Sequence, residues 1–216
     1  MSTHPAGGSA APEKERTFWY TVARIAAVLL THTIFPVRYH NTEEFKLDAP
    51  YILISNHESA LDPLIIASPC KKYEVRFVGK KELTKKKWVA NLLEKGLHMI
   101  TVDRHHTDLA AMRQCTRVLK EGKVLAIFPE GTRHLPDLMS EVETGTSVLA
   151  LRANVPLLPV FISRKLSFLR VTHVYVGKPM DISDLSAQGM DAATVDQLTQ
   201  RIRETFLRMR EDSKKA

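Results

Sequence analysis

From about residue 50 onward the chain alternates short apolar runs with amphipathic stretches. Runs rich in β-branched residues predict strands at Tyr51–Ser55, Val75–Val78, Met99–Val102, Val124–Phe128, Leu157–Ile162 and Val171–Val176. Between them, apolar positions recurring every three to four residues predict helices at Pro63–Ser68, Lys81–Leu93, Asp108–Lys120 and Thr146–Arg152. A last helix, Thr194–Met209, carries Val195, Leu198, Ile202, Phe206 and Met209 on one stripe. Gly96 and Gly122 stand where helices close on a left-handed residue. Such βα alternation predicts an α/β sheet with helices on both faces, and ligands beyond the carboxyl ends of its strands.

The start of the chain departs from this rhythm. Residues 1–16 are mostly small, polar or charged, too poor in apolar bulk to drive burial, and predict a disordered tail. Residues 17–37 then form an amphipathic helix ended by Pro36, with Phe18, Trp19, Val22, Ile25, Ala26, Leu29 and Leu30 at helical spacing. A secretory signal is disfavoured by the mixed charges of Glu13, Lys14, Glu15 and Arg16. Spanning a bilayer is costly with Arg24 and His32 inside the segment. Two readings remain: a helix lying in a membrane interface, with Phe18, Trp19 and Tyr20 at headgroup level, or a helix packed on the core. Residues 38–212 make up the α/β domain.

Composition narrows the partners. The 216 residues suffice for one domain with a genuine core, and 44% hydrophobic with 25% charged residues is ordinary for a globular protein. A net charge of +7 and a pI near 9.4 ask for an anionic partner. Cations concentrate between Lys71 and Lys87, ending in Lys85, Lys86 and Lys87. Few aromatics interleave with them, which disfavours nucleic acid, and a solvated helix face is the commoner meaning of such a run. Cys70 and Cys115 lack the spacing of a metal site or a disulfide framework and suit a reducing compartment.

Two strand ends carry the candidate chemistry. After Tyr51–Ser55 comes Asn56-His57-Glu58-Ser59-Ala60-Leu61-Asp62, with a histidine five positions before an aspartate. An imidazole accepts protons near neutral pH, and a carboxylate on its other nitrogen fixes the tautomer and stabilises the imidazolium. This spacing does not fit one helical face, so the histidine belongs to the turn and Asp62 reaches back from the helix start. Asp-Pro also reads as a helix cap, a role compatible with orienting His57. Ser59 lacks a GxSxG setting, so a serine nucleophile is weakly supported and the pair looks like a dyad acting on a substrate hydroxyl. After the run at Val124 comes Phe128-Pro129-Glu130-Gly131-Thr132-Arg133, where Gly131 allows close backbone approach and Arg133 offers a fork of donors suited to phosphate. Ile100-Thr101-Val102-Asp103-Arg104 ends a further strand with a second arginine. Each arginine singly is more often a surface ion pair; their shared placement suggests an anion pocket.

These segments, with Val155-Pro156-Leu157-Leu158-Pro159-Val160 and the lead-in Gly79-Lys80-Lys81-Glu82-Leu83, resemble in order and spacing the four blocks of the glycerolipid acyltransferase family, and most of all its bacterial 1-acylglycerol-3-phosphate members. The resemblance covers about Phe18 to Pro179. It implies a mixed sheet flanked by helices, with His57 as general base and Asp62 orienting it. The acceptor hydroxyl would attack the thioester of acyl-CoA or acyl carrier protein directly, without metal, cofactor or acyl-enzyme. Arg104, Glu130, Gly131, Thr132 and Arg133 would bind the lysophospholipid acceptor. The same resemblance implies docking on the cytoplasmic face of the cell membrane through the N-terminal helix and the basic run. Three positions depart from the family pattern: His98 stands in place of a glycine, His134 in place of a serine, and Glu143 in place of a lysine near the acceptor blocks. The last leaves open another lysolipid or glycolipid acceptor. A hydrolase using Ser59 and a catalytically silent membrane-binding module are the competing readings.

Overall fold

A computed structural model describes residues 18–80, 98–102, 108–133 and 137–215. The expected tail at 1–16, the helix at Lys81–Leu93 and its closing Gly96 lie outside these residues. Seven strands form one sheet in the order β1-β7-β6-β2-β5-β3-β4. They are β1 (Val37–His40), β2 (Tyr51–Ser55), β3 (Val75–Lys80), β4 (Ile100–Val102), β5 (Val124–Ile127), β6 (Leu157–Ile162) and β7 (Thr172–Val176). From β6 to β4 neighbouring strands run parallel, whereas β7 lies antiparallel to β6 and β1 follows β7. The sheet is therefore mixed, as expected.

The central strand shows why the sheet needs cover on both faces. Every residue of β2 is buried; Ile52 and Ile54 enter one core cluster, Tyr51 and Leu53 the other, as a period of two dictates. The first cluster is roofed by helices α3 (Leu109–Lys120), α4 (Gly145–Ala153) and α6 (Ala192–Ser213). Helix α2 (Asp62–Ala67) covers the second, with α1 (Phe18–Thr33) packed against it. A single turn, α5 (Ser183–Ser186), adds Leu185 to the first cluster. Helix α3 is capped by Asp108, which accepts from the Ala111 amide at 2.9 Å, and is closed by Gly122 at φ 71°.

Helix α1 packs on the core along one side and leaves an apolar stripe exposed on the other. Tyr20 and Ala27 are buried, and the Tyr20 hydroxyl accepts from the Val75 amide at 3.0 Å. Arg24 lies on the same side, its Nη1 donating to the Ser68 carbonyl at 3.4 Å. On the opposite side, Phe18, Val22, Ile25 and Leu29 form an exposed apolar stripe joined by Trp19, with Phe18 71% and Trp19 57% exposed. Tyr20, expected at headgroup level, is instead 2% exposed, because two residues along a helix turn the side chain to nearly the opposite face. The helix also stops at Thr33, short of the expected 37, since Pro36 disfavours helical geometry before it and Val37 already belongs to β1.

The cationic run is not one helical face. Lys71 and Lys72 are exposed ahead of β3, with Lys72 paired to Asp48, whereas Lys80 ends that strand at the other edge of the sheet. Lys85, Lys86 and Lys87 lie outside the described residues.

Replacing Tyr20 with Phe would keep the ring but leave the buried Val75 amide without its acceptor, at a cost of about 1–3 kcal/mol. Thermal unfolding of Tyr20→Phe should therefore fall by several degrees, on the order of 2–4 °C per kcal/mol for a chain of this size. An unchanged melting temperature would contradict this contact.

Candidate active site

Both motifs leave the sheet at one edge. Strands β2 and β5 are parallel neighbours, with Ile54 opposite Ile127, so His57 and the Phe128–Arg133 turn emerge side by side beyond their carboxyl ends. Asn56 fixes the exit of β2. Its Oδ1 accepts from the Ile162 amide at 2.8 Å and its Nδ2 donates to the Ile162 carbonyl at 2.9 Å, continuing the β2–β6 pairing with a side chain.

The Asp62 carboxylate then organises the turn. Its Oδ2 accepts from His57 Nδ1 at 2.8 Å, from the Glu58 amide at 2.6 Å and from the Ser59 amide at 2.7 Å. Asp62 is fully buried. The expected helix cap is not formed by this oxygen, which turns back to the preceding amides of Glu58 and Ser59. A carboxylate opposite Nδ1 requires the proton there, so the lone pair of Nε2 is the basic site of the imidazole. The ring lies against Phe128, with centroids 4.1 Å apart and planes 20° apart, which restricts its rotation. Sequence reasoning gave no role to Asn56 or Phe128; both sit within the motifs, but their partners across the sheet are set by topology.

Ser59 is part of the same turn. Its Oγ accepts from the Leu61 amide at 3.3 Å, and the hydrogen bond of the His57 ring goes to Asp62. This geometry gives no support to a His-activated serine.

Glu130, expected among the acceptor-binding residues, is bonded to the backbone. Its carboxylate is buried and split between two backbone amides, Oε2 accepting from His57 at 3.0 Å and Oε1 from Met139 at 2.8 Å. It ties the β2 exit, the β5 exit and the following loop together. Burial raises its pKa, and the Met139 and His57 amides oppose that rise. Glu58 is likewise raised, chiefly by burial, with the Asn56 side chain, 3.1 Å away, favouring the carboxylate. Met139 itself is wholly buried at φ 55°, a conformation that side-chain residues rarely hold without such a bond.

The rest of the second motif follows from the turn. Gly131 is buried at φ 64°, and its amide donates to the Phe128 carbonyl at 2.9 Å. Thr132 is half-buried and Arg133 exposed, both just past the turn. The Glu143 amide donates to the Pro129 carbonyl at 2.8 Å, so the residue that replaces a lysine does border this motif. His98 takes φ 46°, which explains why a glycine suits that position. Its Nε2 meets Glu74 at 3.2 Å and its ring stacks on Tyr20. Arg104 and His134 lie outside the described residues.

A parallel strand edge bearing a carboxylate-held histidine beside a Gly/Arg turn defines the class. The Acyltransferase family model matches residues 36–163, and the chain belongs to that family. It is 27% identical over 176 residues to the 1-acyl-sn-glycerol-3-phosphate acyltransferase of Bacillus subtilis, covering 78% of this chain and 87% of that one. To the enzyme of the same name from Streptococcus pneumoniae it is 29% identical over 214 residues, covering 94% and 76%. The fold is similar to the crystal structure of the 1-acyl-sn-glycerophosphate (LPA) acyltransferase PlsC from Thermotoga maritima, with a TM-score of 0.64, 23% identity and coverage of 91% and 78%.

Exchanging Glu130 for Gln preserves shape but replaces one acceptor oxygen with a donor facing an amide. Glu130→Gln should cost about 1–3 kcal/mol of stability and lower kcat with little change in the Michaelis constant of either substrate. A selective rise in the acceptor's Michaelis constant would instead restore Glu130 to the acceptor pocket.

Proposed function

We propose that this chain transfers a fatty acyl group from an acyl thioester, acyl-CoA or acyl carrier protein, to the free hydroxyl of 1-acylglycerol-3-phosphate, giving phosphatidic acid and a free thiol. The observation that carries the mechanism is the 2.8 Å bond from His57 Nδ1 to Asp62. It directs the Nε2 lone pair outward as the base. That nitrogen takes the hydroxyl proton as the alcohol oxygen attacks the thioester carbonyl. Collapse of the tetrahedral intermediate breaks the carbon–sulfur bond, and the imidazolium returns its proton to the departing thiolate. Asp62, bonded to Nδ1, stabilises the imidazolium. No acyl-enzyme is needed, in keeping with Ser59 Oγ being occupied by its own turn. Neither is a metal ion or cofactor.

The names of the B. subtilis and S. pneumoniae relatives support the acceptor assignment. The exposed guanidinium of Arg133, with Arg104, is the partner for the acceptor phosphate. Glu130 acts as a positioning residue. The exposed apolar stripe of α1, headed by Phe18 and Trp19, supports attachment to a membrane surface. The described helices include none long and apolar enough to cross a membrane. The buried thiols of Cys70 and Cys115 suit the cytoplasmic face.

In an assay of thiol release from palmitoyl-CoA with lysophosphatidate, His57→Ala should reduce turnover by roughly 10²–10⁴-fold. Equal rates in wild type and variant would overturn the base assignment. Arg133→Ala should raise the Michaelis constant for lysophosphatidate far more than that for acyl-CoA. Because Glu143 borders the motif, the same assay run with uncharged and zwitterionic lysolipids tests the headgroup; faster turnover on one of these would assign the acceptor elsewhere.

A further inference from the structure

The connection between β6 and β7, residues 163–171, reads Ser-Arg-Lys-Leu-Ser-Phe-Leu-Arg-Val: three cations and no acid. It leaves the sheet directly after Ile162, the residue clamped by Asn56, and so springs from the edge that carries His57. Its root is fixed. The Ser163 amide donates to His173 at 2.9 Å, the Thr172 amide to Pro36 at 2.9 Å, and Leu166 packs on the core. Its tip is the reverse of a buried loop: Phe168 is 68% and Leu169 93% exposed, with Val171 also exposed. Arg164, Lys165 and Arg170 are exposed around these side chains. The tip also joins α1. The Phe168 ring meets Phe35 at 4.6 Å, and exposed Ile34 precedes that residue at the end of the helix. Apolar surface therefore runs along the outer stripe of α1, through Ile34 and Phe35, to Phe168 and Leu169.

We propose that this loop is a second membrane-insertion point, in which Phe168, Leu169 and Val171 enter the interface of a bilayer while Arg164, Lys165 and Arg170 meet anionic headgroups. Large apolar side chains ringed by unpaired-sign charge are what an anionic lipid surface satisfies, apolar burial and headgroup attraction adding together. A solvent-facing leucine on a rigid root gains nothing until such a surface covers it. With α1 as the first contact, two insertion points fix the tilt of the body and turn the His57 edge to the bilayer that holds the acceptor. The proposal rests on the lysolipid reading above only for this last purpose; the docking itself does not depend on it.

The test uses the full chain and vesicles of phosphatidylcholine with and without phosphatidylglycerol. Leu169→Cys, labelled with an environment-sensitive dye, should shift to the blue on anionic vesicles, the native Cys70 and Cys115 being buried. The double change Phe168→Ser with Leu169→Ser should weaken sedimentation with anionic vesicles by about tenfold or more, and Arg164→Gln with Lys165→Gln and Arg170→Gln should remove the preference for phosphatidylglycerol. Turnover of a short-chain, water-dispersed lysophosphatidate should be unaffected by the serine changes, whereas turnover of vesicle-borne acceptor should fall. Vesicle binding equal to wild type, or an unshifted dye, would overturn the proposal. So would a serine variant that loses self-association but keeps vesicle binding, which would make the tip a contact between copies. Wild-type protein that binds vesicles through the tip but acylates neither acceptor would sink the lysolipid reading and leave the docking intact.

Discussion

A single carboxylate oxygen of the fully buried Asp62, Oδ2, gathers the histidine ring and two successive backbone amides. Buried charge is tolerable only when donors meet it. Here the three donors that reach Oδ2 are those of the turn itself, while Oδ1 is buried without a partner among the described residues. The conformation of the turn and the tautomer of His57 are therefore one constraint. Removing the carboxylate would leave two amides and a ring nitrogen without a partner at once. The neighbouring structure is built to keep that cluster in register: Asn56 pins the strand before it to β6, and Glu130 pins its first amide to the β5 exit.

Buried carboxylates bonded to main-chain amides recur at this edge, and they divide labour with the exposed cations. Asp62 and Glu130 hold backbone, while Arg133 stands outward where an anion could reach it. Within one short motif, Glu130 thus turns to the backbone and Arg133 to solvent. The strain of Met139 belongs to the first group: its left-handed backbone is held by the same Glu130 that supports the His57 amide.

Much of this architecture is legible in the chain, because strands buried on both faces read as unbroken apolar runs. The bounds of β2 and β6 match their runs to the residue. Strand β1 does not stand out: Val37–His40 is four residues long and contains Arg38 and His40, so only pairing with β7 makes it a strand. The last helix extends beyond its apolar stripe, to Ser213, through polar residues that carry no periodic signal. At the site, the His57–Asp62 contact follows from spacing and chemistry. The work of Glu130 does not, since a glutamate beside Gly and Arg looks like part of a pocket until the fold brings the amide of a buried methionine to it. Tyr20 is the same lesson on a helix. Its amphipathic character suits an interface, and only the position of the Val75 amide draws it inward.

Helix α1 is bound to the body by Tyr20 near one edge of the sheet and leads into β1 at the other. It is thus a keel and not a tether. A tethered domain samples orientations, and its active site meets the lipid surface for only part of the time. A keel passes its own attitude to everything built on it, so any surface that takes up the outer stripe of α1 also fixes how the His57 edge is presented. Binding and release of such a surface would then be whole-body events, because α1 is packed on the body that carries the His57 edge.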